Sequence, residues 1–496
     1  MGMVLNTNIG AIQAQRALTE SRAEMEKAME RLATGLRINS AADDAAGLAM
    51  VERMNSQIRG LTMATKNAND GIALIKTTEN ALVEVSGMLQ RMRELAVQAA
   101  NATNSDTERA FANDEINQLQ QEVSRVSANT RYNGTQILNG SFSAKSLQVG
   151  IMSGEDISFS IDSVESGLLG VYEAVSPAIA PVAVSSTAYA STNNGVDGDD
   201  LTIVGNGNSR TVTIETSETA KDVATKINAV AGATTVLAQA RTTALFYSSS
   251  AIDVSYTVKI NNIETAAFTL SSAGVTDAVT KINAITASTG VMASATSDGK
   301  VRLIDQDGDN ITIENTTATV TSLYVGALEN DGATAAAAGN VANLLASGGN
   351  DITTISGTIR LTSTKGFTVT QDTAVGAGSS FFTDGEIAAT LGAVSSVDVS
   401  TTIGASNALA ILDGALDTVS AMRGSLGTLQ NRLDYAVSNL MKVTEYTIGS
   451  RSRIQDADFA AETSRLAKAQ VLQQAGAAML SQANASTDTV LQLLRG

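Results

Sequence analysis

From Met54 onward the chain places apolar residues in steps of four and three: Met54, Ile58, Leu61, Ala68, Ile72, Ile75, Leu82, Leu89 and Ala96. Thr65, Glu79, Ser86 and Arg93 are the only polar interruptions among thirteen such positions. A spacing that averages 3.5 residues keeps one narrow stripe turned towards a partner helix, so the segment is restricted to a long helix packed as in a coiled coil. Read from Ala45 to Ala100, it is roughly 80 Å long at about 1.5 Å per residue. Both prolines, Pro177 and Pro181, lie in the middle of the 496-residue chain. The two ends are therefore free to form uninterrupted helices.

The C-terminal end repeats the theme. Leu409, Leu412, Leu416, Val419, Leu426, Leu433, Val437 and Leu440 share a stripe in which Arg423 and Gln430 are exceptions. A break is expected at Thr447–Ser452, followed by a last helix with the stripe Leu472, Met479, Ala483, Val490 and Leu494. Near the N-terminus, Leu18, Met25, Met29 and Leu32 form a similar line. A shorter helix follows NATNSDTER, with Ile116, Leu119, Val123 and Val126 as its stripe and Ser105 or Asp106 as its cap. RYNGTQILNG, with two Asn-Gly pairs around an apolar run, predicts a β-hairpin. Narrow, Ala-rich stripes at both ends need partner helices. The nearest is the other end of the same chain, and the next is a neighbouring copy.

The middle changes character. Thr, Ser, Ala, Gly, Val and Asp dominate it, and alternating runs such as VSYTVKI and KVRLI are bounded by DG and NG turns, which predicts β-structure with short helices. DVATKINAVAGATTVLAQA (222–240) aligns with DAVTKINAITASTGVMASA (277–295) at ten of nineteen positions. The 55-residue offset predicts two tandem α+β modules, about 198–250 and 251–320. Residues 330–400 carry no readable pattern. In DQDGDNITIE (305–314), Asp305, Asp307 and Asp309 alternate as in a calcium loop, but Asn310 stands where such a loop needs Gly and Thr316 where it needs Glu. A hairpin turn is the better expectation.

Composition excludes several chemistries. The absence of Cys removes disulfides and thiolate metal sites, and the absence of His removes the commonest general base and metal ligand. No catalytic, cofactor-binding or metal-ligating set is expected. No run approaches about 18 consecutive apolar residues, and MGMVLNTNIGAIQAQR lacks the basic and apolar parts of a cleaved signal. The net charge of −17 is uneven. Residues 1–140 hold 14 basic and 16 acidic side chains, residues 401–496 hold 8 of each, and the middle holds 11 and 26. Nearly neutral ends can associate, while an acidic middle suits exposure to water. With no basic stripe, nucleic acid is not an expected partner.

RLATGLRINSAADDAAGLAMVERMNSQIRGL (31–61) resembles the N-terminal signature of bacterial flagellins, and VLNTNIGAIQAQRAL resembles their terminal strand. NANDGIALIKTTENAL and LQRMRELAVQAAN are similar to the family's long helix. NRLDYAVSNL and RSRIQDADFAAETSRLAKAQVLQQAGAAMLSQAN are similar to its C-terminal end. These stretches span nearly half of the chain, at both ends and in the family's order. The middle resembles, more distantly, an insertion module of some flagellins and hook-associated proteins.

The resemblance implies an α + β multidomain fold. Residues 1–42 and 453–496 would form a terminal coiled-coil filament core, with Leu18, Met25, Leu32, Leu472, Met479 and Val490 on its seam. Residues 43–142 and 403–452 would form a long-helix rod with the hairpin, its seam made by Met54, Ile58, Leu61, Ile75, Leu82, Leu89, Leu426 and Leu433. Residues 143–402 would be a β-rich outer region. The implied function is a subunit exported unfolded by the flagellar type III system, which assembles with its own copies into a hollow helical filament. Implied partners are the hook–filament junction protein, the filament cap protein, and an export chaperone at the C-terminal end. A host Toll-like receptor would contact Arg91, Leu95 and Glu115. The segments of about 1–40 and 455–496 are expected to order only on polymerisation. Gly60, Gly71 and Gly87, each costing about 1 kcal/mol relative to Ala, fit modest stability outside the filament. Asp43 and Asp44 are expected to cap the long helix.

Other classes fit less well. A metalloprotease insertion needs H-E-x-x-H, which a His-free chain cannot supply. A junction protein would tend to carry Pro near the Asp pair, where this chain reads SAADDAAGLA. A translocator would need long apolar hairpins, which the sequence lacks, whereas the acidic β-rich middle taken alone would permit adhesion.

Overall fold

A computed structural model describes residues 7–101, 103–186, 196, 198–272, 274–296, 298–317, 322–329, 341–345, 349–371, 380–382 and 385–495, without side chains for 486–495. It has long helices at both ends and a β-rich middle. The helices are α1 (Ile9–Thr34), α2 (Ala45–Ala100), α3 (Asp106–Asn129), α4 (Ala220–Thr234), α5 (Thr276–Asn283), α6 (Thr286–Thr289), α7 (Thr402–Gln455) and α8 (Phe459–Arg495). No described helix is long and apolar enough to cross a membrane. Two compact units are resolved: Met1–Lys76 with Ala144–Phe159 and Gly427–Gly496, and Thr77–Ser143 with Ser160–Leu426.

In the first unit, α1 packs on α8, while parts of α2 and α7 meet through Leu61, Ala64 and Leu440. A hairpin of Lys145–Gln148 and Asp156–Phe159 lies on α2. Gly71 lets it approach, since a Cβ there would stand 2.4 Å from Leu147 Cδ2. At Gly60 a Cβ would stand 2.8 Å from Ile151. These glycines therefore serve packing, whereas Gly87 meets nothing within 4 Å. The expected break at Thr447–Ser452 is corrected: α7 runs on to Gln455. Nothing there removes a helical hydrogen bond, and the Thr447 hydroxyl donates to the Val443 carbonyl within the helix. The chain turns at Asp456–Asp458, where the Asp458 carboxylate accepts the Ala460 and Ala461 N–H groups and caps α8.

In the second unit, Ser105 rather than Asp106 caps α3, in a reciprocal capping box with Glu108. The Arg131–Tyr132 and Thr135–Gln136 strands flank Asn133 and Gly134, both at positive φ, a two-residue hairpin turn. The Gln120 amide donates to the Val394 and Val397 carbonyls, and the Ser127 hydroxyl to the Leu138 carbonyl, so α3 is tied to the chain after the hairpin and to the approach to α7.

The repeat is visible as a shared bracket. The Asn228 side chain exchanges two hydrogen bonds with the Ala238 backbone, and Asn283 does the same with Ala293, 55 residues on. The hairpin turns at Asn206–Gly207 and Asn261–Asn262 keep the same offset. The two modules share a sheet: Leu237–Tyr247 of the first pairs with Val301–Asp305 of the second. Each also contributes to its own four-stranded sheet, which is completed by Phe367–Gln371 and Gly385–Ala388 in one case and by Ile352–Ile355 in the other. Strands from the stretch 330–400, unreadable in sequence, thus close both. The segment 305–310 is no hairpin turn, because Val301–Asp305 belongs to the larger sheet and Ile311–Asn315 to a four-stranded one. Gly308, at φ 84°, makes a crossover there. Asp307 and Asp309 face Lys221 at 3.5 and 2.7 Å. Among the described residues no acidic cluster suits a metal ion.

Candidate functional site: the terminal helix pair

α1 begins at Asn8, whose side chain accepts the Ala11 N–H and donates to the Ala483 carbonyl of α8. It ends at Gly35, where φ of 72° closes the last turn onto the Arg31 carbonyl. Leu36 and Asp456 then form an antiparallel bridge, and Ala457 donates to Gly35. From this clasp the two helices run antiparallel. Arg31 meets Glu462, the Ser21 hydroxyl donates to the Ala469 carbonyl at 2.9 Å, and Leu18 faces Gly476.

On α1 the inward positions are Ala11, Ala14, Leu18, Ser21, Met25, Ala28 and Leu32, a strict alternation of threes and fours. On α8 they are Glu462, Leu466, Ala469, Gln473, Gly476, Leu480 and Ala483. Ala28 and Ala469 are buried, and a Cβ at Gly476 would lie 3.1 Å from Leu18, so small residues set the close approach. Leu18, Met25 and Leu32 therefore face the partner helix. Leu472 and Met479 stand one position off the seam and are 45% and 64% exposed. Sequence reading missed the phase because α8 is rich in Ala, and the larger side chains drew the stripe. The polar seam members, Glu462 and Gln473, hid it further. The side chains of Val490 and Leu494 lie outside the described residues.

Charge fastens the base of the pair. Glu462 is buried and meets Arg31 at 3.2 Å and Arg465 at 2.9 Å. Asp43 meets Lys27 at 2.9 Å and accepts the Ser40 and Asn39 N–H groups. The Lys27 ammonium first, then the Ser40 N–H, hold its carboxyl well below the usual range, against an opposing effect of burial. Only Asp44 caps α2, accepting the Gly47 N–H at 2.9 Å. The expectation that both aspartates cap is corrected: Asp43 ties the loop to α1.

Further along, Leu61, Ile75, Leu82, Leu89, Leu426 and Leu433 are buried, while Met54 and Ile58 are half-buried. Two polar interruptions of the α2 stripe find charged partners on α7. Glu79 of α2 meets Arg423 of α7 at 2.8 Å, and Arg93 meets Asp413 at 2.5 Å. Arg91 reaches Glu115 of α3 at 2.8 Å, and both are about half exposed, whereas Leu95 beside them is buried. Outside these contacts the terminal helices leave large apolar side chains in water. Ile9, Ile12 and Met29 do so on α1, and Phe459, Val471, Leu472 and Met479 on α8.

Residues 5–143 match the model of the bacterial flagellin N-terminal helical region, and residues 409–494 that of the bacterial flagellin C-terminal helical region. The chain is 37% identical to the B-type flagellin of Pseudomonas aeruginosa over 501 residues, covering all of both chains. It is 32% identical to flagellin B of Vibrio cholerae over 506 residues and 33% to a flagellin of Salmonella choleraesuis over 545, again over the whole of each. An antiparallel pairing of the two ends, flanked by exposed apolar side chains, and family likeness across the full length lead to one assignment: this chain belongs to the bacterial flagellins, the structural subunits of the flagellar filament.

Proposed function

We propose that the α1–α8 pair, from residues 1–42 and 453–496, walls the channel of a hollow helical homopolymer. Residues 43–142 and 403–452 form the rod that sets subunit contacts, and residues 143–402, apart from the hairpin that lies on α2, project outward as two α+β modules with their completing strands. The observation that carries this reading is the apolar surface left on α1 and α8 after their own seam is filled. A second copy of the same chain is the partner that removes it from water. Filaments of this kind lie outside the cell, and the subunit reaches them unfolded through the type III apparatus. A chain without Cys suits that route, having no disulfide to form or break. The hook–filament junction protein starts the polymer, the cap protein folds subunits at its tip, and an export chaperone covers the C-terminal end before export. No catalytic role is part of this reading. Host-receptor contact would involve Arg91 and Glu115, with Leu95 acting through the packing beneath them.

Negative-stain microscopy of purified protein, seeded with short fragments of its own polymer, tests the proposal. Tubular filaments are expected from the full chain and none from a chain lacking 1–40 and 455–496. Normal tubes from the truncated chain would refute it.

A further inference from the structure

Among the described residues of the acidic middle, the half-buried guanidinium of Arg241 has no carboxylate at ion-pair distance. Leu237–Tyr247 and Thr358–Ser363 pair antiparallel with Gln239 opposite Arg360 and Arg241 opposite Thr358. Arg241 and Arg360 therefore leave the same face of the sheet as diagonal neighbours. Arg360 is buried and matched, its Nε 2.8 Å from Glu173 and its Nη1 3.3 Å from the Asn407 carbonyl. Among the described residues Arg241 meets neutral groups, the Ser406 hydroxyl at 2.9 Å and the Asn407 Oδ1 at 3.5 Å. A guanidinium carries five N–H donors, so most of its capacity is open to the space in front of it.

That space is a cavity of about 380 Å³, walled by both arginines and by Gln239, Gln306, Ser406 and Asn407. Asp307 also reaches the wall, largely in water, with Lys221 3.5 Å from its carboxylate and 2.7 Å from that of Asp309. Burial, and then the Arg360 cation, push the pKa of Arg241 down.

We propose that this cavity binds a small tetrahedral oxyanion of the phosphate or sulfate class, held by the free edge of Arg241 with Arg360 behind it. The planar fork of a guanidinium matches two oxygens of such an ion, and the Gln239 and Gln306 amides supply neutral donors for the others. The walls offer hydrogen-bonding groups rather than apolar surface, which suits a hydrated inorganic ion. This site is independent of filament assembly.

Isothermal titration calorimetry of the full-length chain decides the matter, with sodium phosphate and sodium sulfate injected separately into chloride buffer of matched ionic strength. One saturable site is expected for at least one of the two ions, with a dissociation constant on the order of 1 mM or tighter. Arg241→Gln should weaken it at least about tenfold, since it removes a charge-assisted pair. Gln306→Glu should weaken it as much while deleting no contact of Arg241, because the added carboxylate takes the ion's place. An exposed control, Arg210→Gln, should bind as wild type does. Circular dichroism checks folding, and if Arg241→Gln fails to fold, Gln306→Glu alone decides. No saturable heat from either ion in the wild type, or wild-type affinity in Gln306→Glu, would overturn the proposal.

Discussion

Asp43 joins the loop before α2 to α1 through Lys27, and its carboxyl is held below its ordinary value by that ammonium and by the Ser40 N–H. The folded chain therefore takes up this proton less readily than the unfolded chain. The contribution is fully present above about pH 4, the unfolded value, and fades as the pH falls towards the lower folded value. Asp43→Asn should lower the thermal midpoint of the terminal helices at neutral pH and flatten their loss of helicity between about pH 4 and about pH 2. Circular dichroism at 222 nm reads both, and parallel acid profiles for variant and wild type would count against the contact. A second residue-scale expectation concerns Glu79 and Arg423, both about a third exposed, which make such a pair modest. Glu79→Arg should destabilise by about 0.5–1.5 kcal/mol through like-charge repulsion, and adding Arg423→Glu should restore most of it in a denaturant-melt double-mutant cycle. These two residues were readable in sequence only as interruptions of separate stripes. Their pairing is a matter of register between helices more than 300 residues apart in the chain, which periodicity cannot supply. For the same reason neither the Arg91–Glu115 pair nor the uncompensated Arg241 was legible.

Elements were read most reliably where a pattern was long. The heptad stripe placed α2 at Ala45–Ala100, and the Asn-Gly pair at 133–134 placed the hairpin turn. Their failures have physical causes. The end of α7 was misplaced because Thr, Gly and Ser lower helix propensity without removing a hydrogen bond, and propensity yields to packing. The turn at 305–310 was misread because Asp and Gly favour a reversal whether the chain returns to the same sheet or passes to another. Two expectations belong to this scale. Gly87→Ala, with nothing within 4 Å of the new Cβ, should stabilise by about 0.5–1 kcal/mol. Gly71→Ala should fall short of that gain or destabilise, because its Cβ must displace Leu147. Urea midpoints of the two variants compare them directly. In the repeat, Asn228→Ala and Asn283→Ala each delete two hydrogen bonds that bracket a helix against the strand after it. Each should cost about 1–3 kcal/mol, read from chemical denaturation of the full chain, and unequal costs would show that the two modules do not use the bracket alike.

At the scale of the whole molecule, assembly turns on which faces of α1 and α8 are satisfied within one chain and which are left over. Ala469 is buried against α1, and Ser21 bonds its carbonyl. Met479, on a different face of the same helix, is 64% exposed. Substitutions at these two positions separate pairing within a chain from contact between chains. Ala469→Leu overfills the seam and should cost about 1–3 kcal/mol, read as a lower midpoint for melting of the terminal helices. Met479→Glu changes a side chain already in water, so its effect on the monomer should stay within about 0.5 kcal/mol. In a filament that buries this face, the same carboxylate would be left without a partner, and the concentration needed for polymerisation should rise at least about tenfold. Sedimentation of seeded samples over a range of protein concentrations reads that threshold. A Met479→Glu chain that polymerises at the wild-type concentration would mean that this face of α8 stays wet in the filament, and the tube wall would then have to be built from another surface of the terminal pair.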